Sequence, residues 1–138
     1  FRPEETCAMN GLIYLEPEDV LEIHDAYIDM FGGIKGIRDE GLFSQLCEAP
    51  YQEFDGVELF PTVFDKAAKY LEGFSRHQVF LDGNKRTAAG TMMIFLRANS
   101  IHVVFSKLEL SDLTLAVAND EISFDDIVQS IKKHSVNG

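Results

Sequence analysis

The sequence predicts an all-α fold, a compact bundle of about six helices around a central buried helix over residues 84–99. Apolar residues recur at intervals of three and four through most of the chain, which is the spacing of one helix face. Only residues 101–105 have the β-branched content of a short extended piece, and five residues are too few to build a sheet. The chain has 138 residues, 46% of them hydrophobic, which predicts a single domain over residues 1–138 with one core.

The first half of the chain is predicted to hold an arm and two helices. Residues 1–15 are expected to form an irregular or short extended N-terminal arm. Pro17 suits the first position of a helix, and an apolar face follows it as far as the stop at Gly32. After a loop over residues 33–39, a short helix with its own apolar stripe continues until Pro50 ends it.

The second half is predicted to contain four helices. Residues 51–60 mix aromatic and acidic side chains without a sustained period, so we predict a loop or flap. Pro61 begins the next helix. The helix over residues 84–99 has almost no polar side, which predicts that it is packed all round. Two shorter helices follow, one over residues 110–118 and one after Ser123, where the spacing fits a capping box.

The charge and cysteine content exclude several classes of protein. The formal net charge is −11 and the pI is near 4.6, so the protein's field repels phosphates and nucleic acid is not an expected partner. No apolar run approaches the roughly 20 residues of a membrane span, so no membrane partner is expected. Cys7 and Cys47 have no CxxC spacing and no histidine cluster beside them, which favours a reducing, cytoplasmic location.

The turn between two of the predicted helices carries an unusual set of charges. Asp82, Gly83 and Asn84 form a turn signal, and Lys85 and Arg86 then stand in the first turn of the central helix. Cations at that end oppose the helix macrodipole by roughly 0.3–1 kcal/mol each. A plain turn with a solvated helix start explains each part separately, but the combination indicates an anion site. A carboxylate can hold Mg²⁺ and a cationic helix N-terminus can hold a polyphosphate, which together describe a nucleotide-phosphate site.

The residues around this turn resemble a known signature. The stretch Gln78-Val-Phe-Leu-Asp-Gly-Asn-Lys-Arg-Thr-Ala88 is similar to the Fic/Doc motif, His-x-Phe-x-(Asp/Glu)-(Gly/Ala)-Asn-x-Arg. The lysine at the variable position resembles the death-on-curing (Doc) toxin branch, whereas Fic adenylyltransferases usually have glycine there. The likeness continues in residues 23–25, 31–42 and 95–99, and it spans most of the chain from about Glu16 to Ile131.

The resemblance implies a role for each matching residue. Asp82 takes the place of the acidic residue that holds Mg²⁺ on the nucleotide phosphates, and Phe80 that of an aromatic anchor in the core. Lys85 goes with ATP bound in the reversed sense, so that the γ-phosphate passes to a threonine of elongation factor Tu, a translation factor. The implied nucleotide-binding residues are Gly83 and Asn84 of the anion-hole turn, Lys85, Arg86, which neutralises phosphate charge, and Thr87.

One position departs from the signature. The family's catalytic histidine falls on Gln78, and glutamine cannot accept the proton of the acceptor hydroxyl. Loss of a general base typically costs about 10²- to 10⁴-fold in rate, so we expect a chain that binds nucleotide and transfers poorly. His77 lies immediately before it and stays open as a substitute base, although its spacing to Phe80 is one residue too long.

Two other functions remain open at the level of the sequence. One is a Fic-type adenylyltransferase, which would transfer AMP to a protein hydroxyl. The other is a non-catalytic module that binds nucleotide or an antitoxin. By resemblance, the expected inhibitor is a separate antitoxin whose helix fills a groove on this domain. His24 lies on the apolar face of the first helix and is predicted to be a packed, hydrogen-bonded residue.

Overall fold

The structure is a computed structural model that describes residues 8–9 and 11–136, and its described part is mostly helical. It contains six helices, which we number α1 Pro17–Phe31, α2 Glu40–Glu48, α3 Val63–Arg76, α4 Asn84–Ala98, α5 Lys107–Ala118 and α6 Phe124–Lys133. Six strands of two residues form three separate antiparallel pairs: β1 Ala8–Met9 with β2 Leu12–Ile13, β3 Glu53–Phe54 with β4 Val57–Glu58, and β5 His102–Val103 with β6 Ser135–Val136. The predicted all-α fold is therefore confirmed.

The predicted loop over residues 51–60 contains a hairpin. After the 3₁₀ turn Ala49–Tyr51, β3 and β4 are joined by Asp55 and Gly56, whose φ angles are +51° and +77°. Positive φ at both central residues is the geometry of a type I′ turn, which Asp-Gly favours because its twist matches that of the strands. The hairpin follows from this dipeptide rather than from any hydrophobic period.

Capping residues set where two of the helices begin. The Thr62 hydroxyl oxygen accepts a hydrogen bond from the Asp65 N–H at 3.0 Å, and the Asp65 carboxylate accepts one from the Thr62 N–H at 3.2 Å, so α3 begins later than predicted. Ser106 forms the same reciprocal pair with Glu109, so α5 begins earlier than predicted. Ser123 caps α6, since its side chain accepts from the Asp126 N–H at 3.1 Å, but the reciprocal bond of the predicted capping box is not formed among the described residues.

The core lies between α3 and α4, and the other helices surround them. Its largest fully buried apolar side chains are Tyr70, Leu71, Phe74, Phe80, Met92, Phe95, Leu96, Ile127 and Ile131. Cys47 is buried with them, and burial raises the pKa of its thiol to about 12, so it is an unreactive apolar residue. Cys7 lies outside the described residues. Among the described residues, none of the helices is both long and apolar enough to cross a membrane.

The central helix α4 is open along one side. The prediction that it is packed all round is wrong there, because Ala89 and Met93 are only partly buried and line a groove between α1, α4 and α5. Gly90 brings α1 close to the helix on the groove's edge: a Cβ at this position would lie 2.3 Å from Cε2 of Tyr27. The apolar residues of this side therefore face a groove instead of a seventh packing element.

A buried lysine attaches the β3–β4 hairpin to α3. The side chain of Lys66 is fully buried, and its Nζ donates to Oε1 of Glu58 at 2.8 Å and to the carbonyl of Phe60. The Glu58 side chain is 20% exposed. A buried ammonium is tolerated only when it is paired and hydrogen-bonded, so these contacts hold the hairpin in place.

We predict that Lys66→Met destabilises the fold by about 3 kcal/mol, because it leaves a carboxylate in a poorly hydrated place without the ammonium that faces it. The measurement is the free energy of unfolding in urea. Lys69→Met is the matched control, since Lys69 is partly exposed and pairs with Glu72 on the helix surface, which is worth less than about 1 kcal/mol. Equal losses of unfolding free energy for the two variants would show that the buried Lys66–Glu58 pair stabilises the fold no more than the surface pair does.

Candidate nucleotide-phosphate site

The segment before the charged turn, residues 78–82, is fixed to the loop after α1 by main-chain hydrogen bonds. The main-chain N–H groups of Arg38 and Asp39 both donate to the carbonyl of Val79, at 2.6 and 3.2 Å. The Leu81 N–H donates to the carbonyl of Gly36 at 3.1 Å, and Ile37 and Phe80 form an isolated antiparallel bridge. These bonds set the path of residues 78–82 independently of their side chains.

A stack of two rings anchors this segment in the core. Phe80 is 1% exposed, and its ring lies parallel to that of His24 with centroids 3.9 Å apart. His24 is fully buried; its Nε2 donates to the carbonyl of Asp82 at 2.8 Å and its Nδ1 lies 3.2 Å from Oδ1 of Asp25. The structural role predicted for Phe80 and the hydrogen-bonded role predicted for His24 are confirmed. Together the two residues fix the main chain where the turn begins.

The carboxylate of Asp82 is exposed and held on one side only. Its Oδ2 accepts from the Ile34 N–H at 3.2 Å, while its Oδ1 has no hydrogen-bond partner among the described residues. Gly33, at φ +130°, permits this approach, because a Cβ there would lie 3.1 Å from Oδ2 and 3.0 Å from Cδ1 of Ile28. The loop therefore orients the carboxylate and leaves one oxygen open to a ligand.

This donor set fits Mg²⁺ that arrives with phosphates. Mg²⁺ in nucleotide sites is commonly held by one or two carboxylates together with phosphate oxygens and water. The described residues contain no group of three or more histidine, cysteine or acidic side chains that could hold a metal ion by themselves. Asp82 alone is thus suited to a metal that brings the rest of its ligands with it.

The start of α4 presents main-chain donors. Gly83 adopts the left-handed conformation at φ 75° before the helix, and none of the described side chains caps the first turn. The amide of Asn84 holds the turn closed: its Oδ1 accepts from the Phe80 N–H at 2.9 Å and its Nδ2 donates to the Phe80 carbonyl at 3.1 Å. The first N–H groups of the helix are consequently free for an anion.

Two exposed cations stand beside these donors. Lys85 and Arg86 form no ion pair with a carboxylate in the part of the chain that the structure describes, although acidic residues outnumber basic ones by 23 to 12. The guanidinium of Arg86 lies over the ring of Phe31, 4.2 Å from its centroid. The aromatic contact restrains this arginine without neutralising it, so its charge remains available for an anion.

The residue at the position of the family histidine is also exposed. The Oε1 of Gln78 accepts a hydrogen bond from Nη1 of Arg38 at 2.8 Å. His77 is exposed as well and follows the last turn of α3 in an extended conformation, with φ −123° and ψ 141°. Because successive side chains of an extended segment point to opposite sides, His77 does not share the direction of Gln78. Arg38 is a residue that the sequence analysis missed.

The groove along α4 begins at the same turn. It has a volume of about 500 Å³ between α1, α4 and α5. Its lining is mostly apolar, with Tyr27, Phe31, Ala89, Gly90, Met93, Leu110 and Leu115 as its main residues. Lys85, Arg86 and Lys107 are its basic residues, so the charged turn forms part of its wall.

Comparison with known proteins assigns the family. The sequence profile of the Fic/DOC family matches residues 14–96, which include the segment before the charged turn, the turn itself and most of α4. The chain belongs to the Fic/DOC family. It is 33% identical over 120 residues to "Protein kinase doc" of Escherichia phage P1, covering 87% of this chain and 94% of that protein. It is also 33% identical over 120 residues to "Toxin Doc" of Mycolicibacterium smegmatis, covering 86% of this chain and 90% of that protein.

Most of the Fic/DOC signature residues lie together in the structure, with one correction. The open carboxylate of Asp82, the helix start at Gly83 and the cations Lys85 and Arg86 are consecutive on one turn. Thr87, predicted to bind nucleotide, is fully buried and its hydroxyl has no hydrogen-bond partner among the described residues. Its side chain cannot reach a ligand at the surface, because this helix position faces the core, and we remove it from the candidate site.

Proposed function

We propose that this chain is a Doc-like toxin that binds Mg·ATP at residues 82–86 and transfers the γ-phosphoryl group to a hydroxyl of a translation factor similar to elongation factor Tu. The observation that carries the proposal is the convergence on one turn of an open carboxylate, helix N–H groups and two cations that form no ion pair among the described residues. The names of the two relatives support the toxin and kinase parts. Such a target would place the protein in the cytoplasm.

In this proposal the turn binds and orients the phosphate chain. The N–H groups at the start of α4 and the guanidinium of Arg86 donate to phosphate oxygens, and Lys85 adds a second positive charge. Asp82 would hold the Mg²⁺, which supplies charge neutralisation on the phosphates. This arrangement stabilises the negative charge of the transferring group by electrostatics fixed before the reaction.

The proton of the acceptor hydroxyl limits the rate. Phosphoryl transfer forms a new O–P bond to the acceptor oxygen and breaks the bond to ADP, so the hydroxyl proton must leave. Gln78 has no basic atom, and its carbonyl oxygen is already occupied by Arg38. We therefore propose that transfer proceeds about 10²- to 10⁴-fold more slowly than with a histidine there. The same observation favours a second candidate, a non-catalytic module that binds nucleotide.

The proposed partner at the groove is the helix of an antitoxin. An amphipathic helix suits an apolar groove that is open along one side of α4, and acidic residues on it would match Lys85, Arg86 and Lys107. Since the charged turn belongs to the groove wall, a helix seated there would cover the proposed phosphate site.

The proposed function is tested with two labelled forms of ATP. The chain and its Gln78→His variant are each incubated with elongation factor Tu, Mg²⁺ and ATP labelled at either the α- or the γ-phosphate. We expect protein-bound label from the γ position only, strongly with Gln78→His and weakly with Gln78. Label from the α position would show adenylyl transfer instead. No label from either protein, with Mg·ATP binding retained, would support the binding module.

A further inference from the structure

The side chain of Gln78 is hydrogen-bonded to Arg38, a contact that the loss of a base at this position does not explain. We propose that Gln78 is a hydrogen-bond donor to the phosphate chain, and that Arg38 is the positioning residue that turns its amide toward this task. The inference rests on the proposed phosphate site, and it adds two residues to it. It assigns a binding role to the position where the family has its histidine.

The contact between Arg38 and Gln78 decides the orientation of the amide. Guanidinium groups only donate hydrogen bonds, so the atom of Gln78 that lies 2.8 Å from Nη1 of Arg38 must be its oxygen. The other half of the amide is then the Nε2 group, with two N–H donors. Nε2 has no hydrogen-bond partner among the described residues. Gln78 consequently offers both N–H donors of its amide to a ligand.

The main chain holds Arg38 in position for this contact. Its own N–H donates to the carbonyl of Val79, the residue after Gln78, at 2.6 Å. The next residue, Asp39, caps α2 by accepting from the Leu42 N–H at 3.0 Å. Arg38 thus lies between two fixed points, and in the antiparallel register of Ile37 with Phe80 it stands opposite Val79, one position from Gln78. The main-chain pairing of residues 36–39 with residues 79–81 therefore keeps Arg38 close to Gln78.

Arg38, like Lys85 and Arg86, is an exposed cation in a chain of net charge −11. Arg38 precedes Asp39 and Glu40, yet it forms no ion pair within the described part of the chain and binds a neutral amide. The Asp39 carboxylate is already used in capping α2.

A cation on the amide oxygen makes the amide a better donor. Hydrogen bonds in a chain polarise one another, so a guanidinium on Oε1 draws electrons from the amide and strengthens its N–H groups as donors. The oxygens of an ionised phosphate accept hydrogen bonds and have no proton to donate. Arg38 and Gln78 therefore form a unit suited to an anion and unsuited to taking a proton.

The test is a double-mutant cycle on the binding of Mg·ATP, measured by calorimetry. Arg38→Met and Gln78→Met are each expected to weaken binding by about 10-fold, the size of one charge-assisted hydrogen bond. The double variant is expected to bind about as weakly as either single one, because Arg38 acts through Gln78. Lys133→Met, in the last turn of α6, removes the same charge and is expected to leave affinity within about 2-fold.

A second readout follows the amide itself. The side-chain NH₂ signals of Gln78, identified by their loss in Gln78→Met, are expected to shift in a ¹⁵N–¹H spectrum when Mg·ATP is added. Unchanged affinity in the single variants, or losses that multiply in the double variant, would overturn the inference while leaving the proposed function standing. If the native chain binds no Mg·ATP at all, the proposed function fails and the inference fails with it.

Discussion

Replacing Gln78 by histidine is expected to raise the rate of phosphoryl transfer by about 10²- to 10⁴-fold. The change introduces a basic nitrogen at the position of the signature histidine. The path of residues 78–82 is fixed by main-chain bonds to Gly36, Arg38 and Asp39. Because these bonds do not involve the side chain of residue 78, the substitution is expected to leave the turn unchanged. The rate is measured as γ-label transferred to the acceptor protein under single-turnover conditions.

The dependence on pH identifies the new base. An imidazole accepts a proton only when it is neutral, so the rate with Gln78→His should rise with pH through the pKa of the new histidine, which the neighbouring guanidinium of Arg38 would lower from the ordinary value of about 6.5, and then level off. Gln78→Asn is the control, since it changes the side chain without adding a base. His77→Ala in the native background tests the neighbour: a large loss of residual transfer would make His77 the base and contradict our assignment.

Removing the charged groups of the turn is expected to cost about 100-fold or more in Mg·ATP affinity. Arg86→Met deletes a guanidinium that Phe31 restrains and no described carboxylate neutralises. Asp82→Asn keeps the shape of the side chain and the bond from the Ile34 N–H, but removes the negative charge that a divalent cation requires. Affinity is measured by the displacement of a fluorescent ATP analogue.

The control for these two variants is Arg97→Met. Arg97 is an exposed cation in the last turn of the same helix, where it agrees with the macrodipole, and its loss should change affinity by less than about 2-fold. Asp82→Asn should also abolish the dependence of ATP binding on Mg²⁺, which Arg86→Met should retain. Native affinity in either site variant, with an unchanged unfolding transition, would remove that residue from the site.

The helices were predictable because each has a local cause. The apolar face that follows Pro17 and the capping spacing at Ser123 are readable in a single window of sequence, and both helices form as predicted. The open side of α4 was not predictable from its composition. Its residues are apolar, as in a fully packed helix. Only the tertiary structure, in which Tyr27 of α1 packs close to Gly90, shows that the groove begins beside this contact.

The candidate site was likewise predictable from the sequence only in part. The turn from Asp82 to Arg86 was found because its charges conflict with a local preference of helices. The contact of Arg38 with Gln78 joins residues 40 positions apart, and no short-range pattern predicts it. Thr87 was misplaced because a position in the first turn of a helix does not by itself say whether the side chain faces solvent or the core.

The central claim is that the turn from Asp82 to Arg86 binds a magnesium–nucleotide complex, and calorimetric titration of the native chain with ATP tests it most directly. We expect saturable binding in the presence of Mg²⁺ and markedly weaker binding when the metal is removed with a chelator. The absence of binding at millimolar Mg·ATP, or the same affinity with and without the metal, would contradict the account.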